Sequence, residues 1–231
     1  MKDGRPDDLG TFAAEQDAFT AALTTWAGKQ ADSLIRRAGA KDGAPPDFYS
    51  LWAESSPERQ AQLAALIAGF GFRLAQIGAW AVLDLYNPGA DGWDPGVMEG
   101  WLAAAAASAA AQYEQAGYDA AIVSATSPDG WQAGLKAGMS AWVSGAARRA
   151  VTSGTEARSF GGHDAAGASG LTYKVWHTGG TNPRASHKAM NGDRVELDDI
   201  FANGLRWPGD GHGRDSETAN CNCHLTYERE G

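Results

Sequence analysis

Residues 171–177 read LTYKVWH, and this stretch marks a change in the character of the chain. Its β-prone residues alternate along the stretch, which predicts a strand. The residues before it are patterned for helices, whereas those after it combine short helix and strand signals. The sequence therefore predicts an α+β fold, in which a helix-rich N-terminal region at 1–157 is followed by a small α+β C-terminal module at 171–231 with a short antiparallel sheet.

The segment just before this strand, residues 158–170, is rich in Gly, Ala and Ser. Such a segment has little apolar surface to bury, so we expect a linker or mobile loop between the two regions. His163 lies inside this segment and is expected to be a solvated loop residue.

Further upstream the sequence predicts helices, the first from about Leu9 to Arg37. Three more are expected where a residue that can cap a helix precedes a proline, which needs no N–H at the first helical position. These pairs are Ser56–Pro57, Asp94–Pro95 and Ser127–Pro128, and YNPG at 86–89 ends the first of the three helices. We expect the apolar stripes of these helices to form a core. The alternative is that one helix face binds a partner protein.

Composition narrows the function classes. The net charge of −9 argues against DNA binding as the main role of the isolated chain. The most apolar stretch contains Arg73, Gln76 and Asp84, which a membrane helix would rarely carry together. We therefore expect a soluble protein without a membrane partner. Two cysteines are too few for a disulfide scaffold.

After the 171–177 strand, the sequence predicts a short helix at 183–190, with Asn182 as its cap and Pro183 at its first position. DRVELDD, residues 193–199, is a short strand candidate. NCNCHLTYE, residues 220–228, is expected to close the module as a strand.

Both cysteines of the chain lie in this last segment. Alternate residues of a strand share a face, so Cys221, Cys223, Leu225 and Tyr227 are expected to point inward and His224 outward. A disulfide between residues two apart on a strand has poor geometry. Two interpretations stay open: buried packing of two free thiols, or a zinc site.

The zinc interpretation needs more ligands than the two thiolates. His187 is the best third candidate, because the short helix that carries it must pack on the sheet. Asp210 or His212 could supply a fourth ligand from the following loop. The same residues also permit an alternative function, a metal-dependent hydrolase or toxin-like enzyme centred on His187, Cys221 and Cys223. The sequence contains no GxSxG elbow, P-loop, dinucleotide fingerprint or H-x-E…C-x-x-C deaminase pattern.

The motifs of the C-terminal module follow one another in a definite order. They are Lys174-x-Trp176, Arg184-x-x-His187, Asn191-Gly192, Val195, Phe201, Pro208-Gly209-Asp210 and Asn220-Cys221-x-Cys223. This order resembles the phage head morphogenesis family typified by the F protein of phage Mu, the minor head proteins. That family combines a K-x-W strand, an R-x-x-H helix with a glycine turn, a later phenylalanine, a P-G-D loop and a terminal N-C-R-C strand. Upstream, Thr155-Glu156 resembles a pair often found before that domain.

The resemblance covers roughly residues 171–228 and implies a structural minor capsid protein of a tailed phage. Such proteins lie inside the head near the portal and assist head assembly, DNA packaging or ejection. The implied partners are the portal protein and the major capsid or scaffolding protein, with several copies of the chain around the portal. Packaged DNA is a further candidate partner, which would make the chain an internal DNA-binding head protein. The implied location is the virion, with the host cytoplasm during assembly, and the helical region is the candidate for portal or capsid contact.

Overall fold

The computed structural model describes residues 8–39, 43–88, 93–94 and 96–230. Within these residues the N-terminal region is helical and the C-terminal module carries a small sheet, so the predicted α+β fold class is confirmed. The elements, in chain order, are α1 (Asp8–Ala38), α2 (Phe48–Ala53), α3 (Ser56–Tyr86), α4 (Gly96–Ser124), α5 (Trp131–Ala168), β1 (Tyr173–His177), α6 (Ala185–Ala189), β2 (Arg194–Glu196), α7 (Asp215–Thr218) and β3 (His224–Glu228).

Helix α5 is the centre of the helical region, because it packs against α1, α3 and α4. Apolar residues at helical spacing supply the core between these helices. The largest fully buried apolar side chains of this core are Phe19, Leu23, Leu63, Leu74, Met98, Leu135 and Met139. The apolar stripes predicted from the sequence are thus core.

Helices α3 and α5 approach each other closely at two glycines. A Cβ at Gly78 would lie 2.0 Å from the carbonyl oxygen of Arg158, and a Cβ at Gly161 would lie 2.0 Å from that of Ala75. Real Cβ atoms do not come this close to backbone, so only glycine fits at either position. The small residues of these helices set the distance between their axes.

A buried ion pair joins α3 to α4. The guanidinium of Arg59 donates to both carboxylate oxygens of Glu114, at 2.9 and 3.0 Å. It also donates to the carbonyl oxygen of Trp52 at 2.7 Å and to Ser55 Oγ at 2.7 Å. Both charged groups are therefore paired and hydrogen-bonded inside the fold, as buried charges require.

Helix α3 is long and apolar enough to cross a membrane, judged by length and composition alone. One such helix is weak evidence for a span, because the core helix of a soluble protein passes the same test. Half of its most apolar window is buried inside the fold.

The predicted linker at 158–170 is wrong. Residues 158–168 belong to α5, which continues without a break to Ala168. The sequence argument treated small residues as having nothing to bury. Their small size instead lets α5 approach its neighbours, since Gly161 faces Ala75 and Gly162 faces the ring of Tyr227 on β3. Tertiary packing outweighs the low helix propensity of glycine here.

Some predicted helix starts also shift. Ser56 is the first residue of α3 and its hydroxyl donates to Glu114 at 3.3 Å, so it does not cap the helix. Helix α5 begins at Trp131 rather than beside Pro128, and α6 begins at Ala185 rather than at Pro183. Pro95 lies outside the described residues, while the carboxylate of Asp94 accepts from the backbone N–H of Gly96 at 2.8 Å.

The sheet of the module has the order β2-β1-β3, with both pairings antiparallel. Lys174 of β1 lies between Val195 on β2 and Tyr227 on β3. The strand expected at 220–228 is shorter than predicted, because β3 begins at His224. The two cysteines precede it in irregular backbone, yet their burial still alternates with that of the exposed Asn222 and His224.

Candidate metal centre

The structure brings His187, Cys221 and Cys223 together, although 34 residues separate the histidine from the nearer cysteine. His187 Nδ1 lies 3.7 Å from Cys221 Sγ and 3.3 Å from Cys223 Sγ. The three ligand atoms all lie within 4.8 Å of one another. The side chains are buried, with exposed fractions of 1 %, 1 % and 4 %. Both cysteines are free thiols.

Helix α6 holds His187 against the central strand of the sheet. The imidazole packs against the indole of Trp176 on β1 in an edge-to-face arrangement, with ring centroids 5.2 Å apart. The hydroxyl of Thr178 donates to the carbonyl oxygen of His187 at 2.7 Å. The first contact holds the ring and the second holds the backbone of His187, and Nδ1 faces the two sulfur atoms.

Glu217 lies on the other side of the imidazole. Its Oε2 is 3.2 Å from His187 Nε2, although the approach is not aligned as a hydrogen bond. The same carboxylate accepts from Ser186 Oγ at 2.9 Å, and Asn203 Nδ2 lies 3.5 Å from it. A carboxylate behind the far nitrogen is the usual companion of a histidine that binds a metal through its near nitrogen.

The two thiols lie close enough to shift each other's pKa in opposite directions. The hydrogen bond with Cys221 and the proximity of His187 lower the pKa of Cys223, in spite of its burial. The same hydrogen bond, together with burial, raises the pKa of Cys221. The lowered pKa favours the thiolate form of Cys223, which is the form that binds metal.

Gly179 closes the site from the side of the β1–α6 loop. Its backbone N–H donates to the sulfur of Cys223. A Cβ at this position would lie 2.0 Å from the carbonyl oxygen of Asn222, between the two cysteines. A side chain at Gly179 would therefore push the cysteine segment away from α6.

Asp210 and His212, the two candidate fourth ligands, are not part of this cluster. Both oxygens of Asp210 accept from the guanidinium of Arg206, at 2.7 and 2.8 Å, and its pKa is lowered to about 2 through these bonds, which outweigh its burial. His212 is mostly exposed and lies against Asp210 and Arg206. The expectation fails because Arg206, four residues before Asp210, takes the carboxylate. Among the described residues, only His187, Cys221 and Cys223 form a group of this kind.

The other motif residues surround the cluster. Trp176, Phe201 and the two cysteines form one buried cluster with Met190 and Leu205. Lys174 is fully buried, and its Nζ lies 5.5 Å from the centroid of the Phe201 ring without a hydrogen-bond partner. Burial lowers the pKa of Lys174 to about 8.

The remaining motif residues lie at turns, bond to the backbone or pack closely against α5. Gly192 adopts a φ of 90° and Asn220 a φ of 55° at turns. The guanidinium of Arg184 donates to the carbonyl oxygen of Ala219, next to the cysteine segment. Pro208 is buried, and Gly209 lies so close to α5 that a Cβ would be 2.8 Å from the backbone nitrogen of Glu156.

Side chains of helix α5 form hydrogen bonds with the backbone of the module. Thr155 Oγ1 donates to the carbonyl oxygen of Cys221 at 2.7 Å, and Thr152 Oγ1 accepts from the backbone N–H of Asn220 at 2.9 Å. Glu156 Oε1 accepts from the backbone N–H of Gly211 at 2.8 Å, while burial raises its pKa to about 7. The Thr155-Glu156 pair is thus part of the packing of the module, which begins before residue 171.

Sequence reasoning missed Glu217 and misplaced His163. Glu217 carries no local signal, because only the closure of the loop between β2 and α7 brings it to His187. His163 is not a solvated loop residue: it lies in α5, and its ring packs on Trp207 with centroids 5.2 Å apart. Burial lowers the pKa of His163 to about 4.

Searches of protein-family models, curated proteins and solved structures each return no match to this chain.

Proposed function

We propose that the chain is a structural minor head protein of a tailed bacteriophage. In this proposal it lies inside the head near the portal, in several copies, and assists head assembly, DNA packaging or ejection. Its helical region contacts the portal or the inner capsid, and its C-terminal module is a compact folding unit attached to that region.

The observation that carries the proposal is where the ordered motif residues lie. Lys174, Trp176, His187, Phe201 and the cysteine pair come from separate segments, yet all are buried. Residues selected for packing with one another build a scaffold, whereas catalytic residues must reach a substrate. The motifs whose order resembles that of the minor head proteins therefore supply residues that pack together in one small core.

The same burial weighs against the hydrolase alternative. Both ring nitrogens of His187 face protein groups inside the fold, Nδ1 the two sulfur atoms and Nε2 the carboxylate of Glu217. A general base or metal-bound nucleophile needs access to its substrate. The net charge of −9 likewise gives no support to a DNA-binding role.

The test is the composition of phage particles. Proheads and mature virions produced by the genome that encodes this chain are purified and analysed by quantitative mass spectrometry. We expect the chain in both, in low copy relative to the major capsid protein, and we expect it to co-purify with the portal protein from disrupted proheads. Its absence from both kinds of particle would overturn the proposal.

A further inference from the structure

We propose that His187 Nδ1, Cys221 Sγ and Cys223 Sγ bind one zinc ion, with Glu217 as the residue that positions the histidine. The ion is structural and ties helix α6 to the segment before β3. This inference does not depend on the proposed role in the phage head.

The distances between the ligand atoms carry the inference. Tetrahedral zinc with bonds of about 2.3 Å to sulfur and about 2.0–2.1 Å to nitrogen places a sulfur and a nitrogen roughly 3.6 Å apart. The two nitrogen–sulfur distances are 3.7 and 3.3 Å. Both nitrogen–sulfur pairs therefore already stand close to the spacing that the ion requires.

The surroundings of the histidine point the same way. Its Nε2 is fully buried and has no aligned hydrogen bond, yet a carboxylate stands 3.2 Å away. When Nδ1 binds a cation, Nε2 carries the proton and can donate it toward Glu217, which fixes the tautomer. Ser186 holds the carboxylate in place with a hydrogen bond of 2.9 Å.

The architecture of the module explains what the ion would do. Its separate buried apolar cluster has six residues, and two of them are the cysteines themselves. The rest of the module's buried surface packs on the helical core, through Leu171 and Tyr227, so the ion would stabilise this cluster rather than the fold as a whole. The cysteines cannot act as a disulfide between distant segments, whereas a shared ion joins two segments that no sheet pairing connects. The described residues supply three ligands, one fewer than the four protein ligands of most structural zinc sites, so a water molecule would complete the coordination.

The experiment measures metal content and thermal unfolding of the full chain. Protein purified under reducing conditions is analysed for zinc, then stripped with a chelator and titrated with Co²⁺ and Zn²⁺. We expect one zinc per chain, a sulfur-to-cobalt charge-transfer band on Co²⁺ binding, and a melting temperature that falls on stripping and recovers with zinc. A chain without zinc, without the band and with a chelator-insensitive melting temperature would overturn the proposal.

Variants locate the site. Cys223→Ser should abolish the charge-transfer band or the stoichiometric binding, and Glu217→Gln should keep the stoichiometry while weakening zinc affinity about 10–100-fold. His224→Ala is the matched control, because His224 is exposed and adjacent to Cys223 but points away from it. Full zinc binding by Cys223→Ser would overturn the assignment. If that variant does not fold, the Co²⁺ titration of the stripped wild-type chain and the Glu217→Gln affinity still decide the question.

Discussion

Thr155 Oγ1 donates a hydrogen bond of 2.7 Å to the carbonyl oxygen of Cys221, 66 residues further along the chain. The donor lies on the helix that organises the bundle, and the acceptor belongs to the segment that carries the two thiols. The bond is buried, so neither group can turn to water instead. The cysteine segment is therefore held from two sides, by α5 and by α6.

Replacement of Thr155 by Val tests this bond with little change in shape. The carbonyl oxygen of Cys221 would remain buried without its donor, at a cost of about 1–3 kcal/mol in the free energy of unfolding. Urea unfolding monitored by circular dichroism measures the change. Thr126→Val is the control, because Thr126 is exposed and its hydroxyl bonds to the carbonyl oxygen of Val123 in its own turn. Equal stability of the two variants would show that the bond to Cys221 contributes little.

The close contact of α3 with α5 leads to a second prediction. Gly161→Ala forces the backbones of the two helices apart, since the new Cβ would meet the carbonyl oxygen of Ala75. We expect a loss of about 1–3 kcal/mol in stability. Gly69→Ala in α3 is the matched control, because a Cβ there has nothing within 4 Å and should stabilise the helix by about 0.5–1 kcal/mol. Thermal unfolding of both variants gives the comparison, and changes of the same sign would contradict the prediction.

The buried amine of Lys174 predicts a dependence of stability on pH. Its pKa is lowered from 10.5 to about 8 by burial, so the unfolded chain holds this proton more tightly than the folded chain. Stability should therefore rise as the pH increases from about 8 to about 10.5, by on the order of 3 kcal/mol from this group. Below pH 8 the folded state carries the full cost of the buried charge.

The difference between the wild type and Lys174→Met isolates this effect from other titrating groups. At pH 7 we expect Lys174→Met to be the more stable protein, and we expect its advantage to shrink as the pH approaches 10. Lys188→Met removes an exposed amine and should leave the pH dependence of the wild type unchanged. Denaturant unfolding at several pH values measures both differences. A constant offset between wild type and Lys174→Met across this range would refute the prediction.

Much of the module could be predicted because period-two alternation applies to any extended backbone. The inward direction of Cys221 and Cys223 was predicted correctly although neither lies in a strand. His187 was placed near them because its helix is short and has one surface on which to pack. The true boundaries of α6 and β3 depend on hydrogen bonds that the local sequence does not encode.

The errors have a common physical origin. The composition of a segment indicates how much apolar surface it can bury, but not how closely a neighbouring helix or strand can approach it. The composition of residues 158–170 therefore predicts a linker, although Gly161 and Gly162 lie where Ala75 of α3 and Tyr227 approach α5 closely. Glu217 could not be found for a similar reason, since its contact with His187 exists only once the long loop has closed. Asp210 and Arg206 are only four residues apart, so their pairing could have been predicted from the sequence.

The length of helix α5 also has a structural consequence. Its 38 residues, at a rise of 1.5 Å each, form a rod about 57 Å long. The other helices pack along this rod, and its C-terminal half, which meets α3 at Gly161, is also bonded to the cysteine segment and loop of the module through Thr155 and Glu156. The helical core and the cysteine segment therefore contact one continuous helix, with no break in α5 between the two sets of contacts.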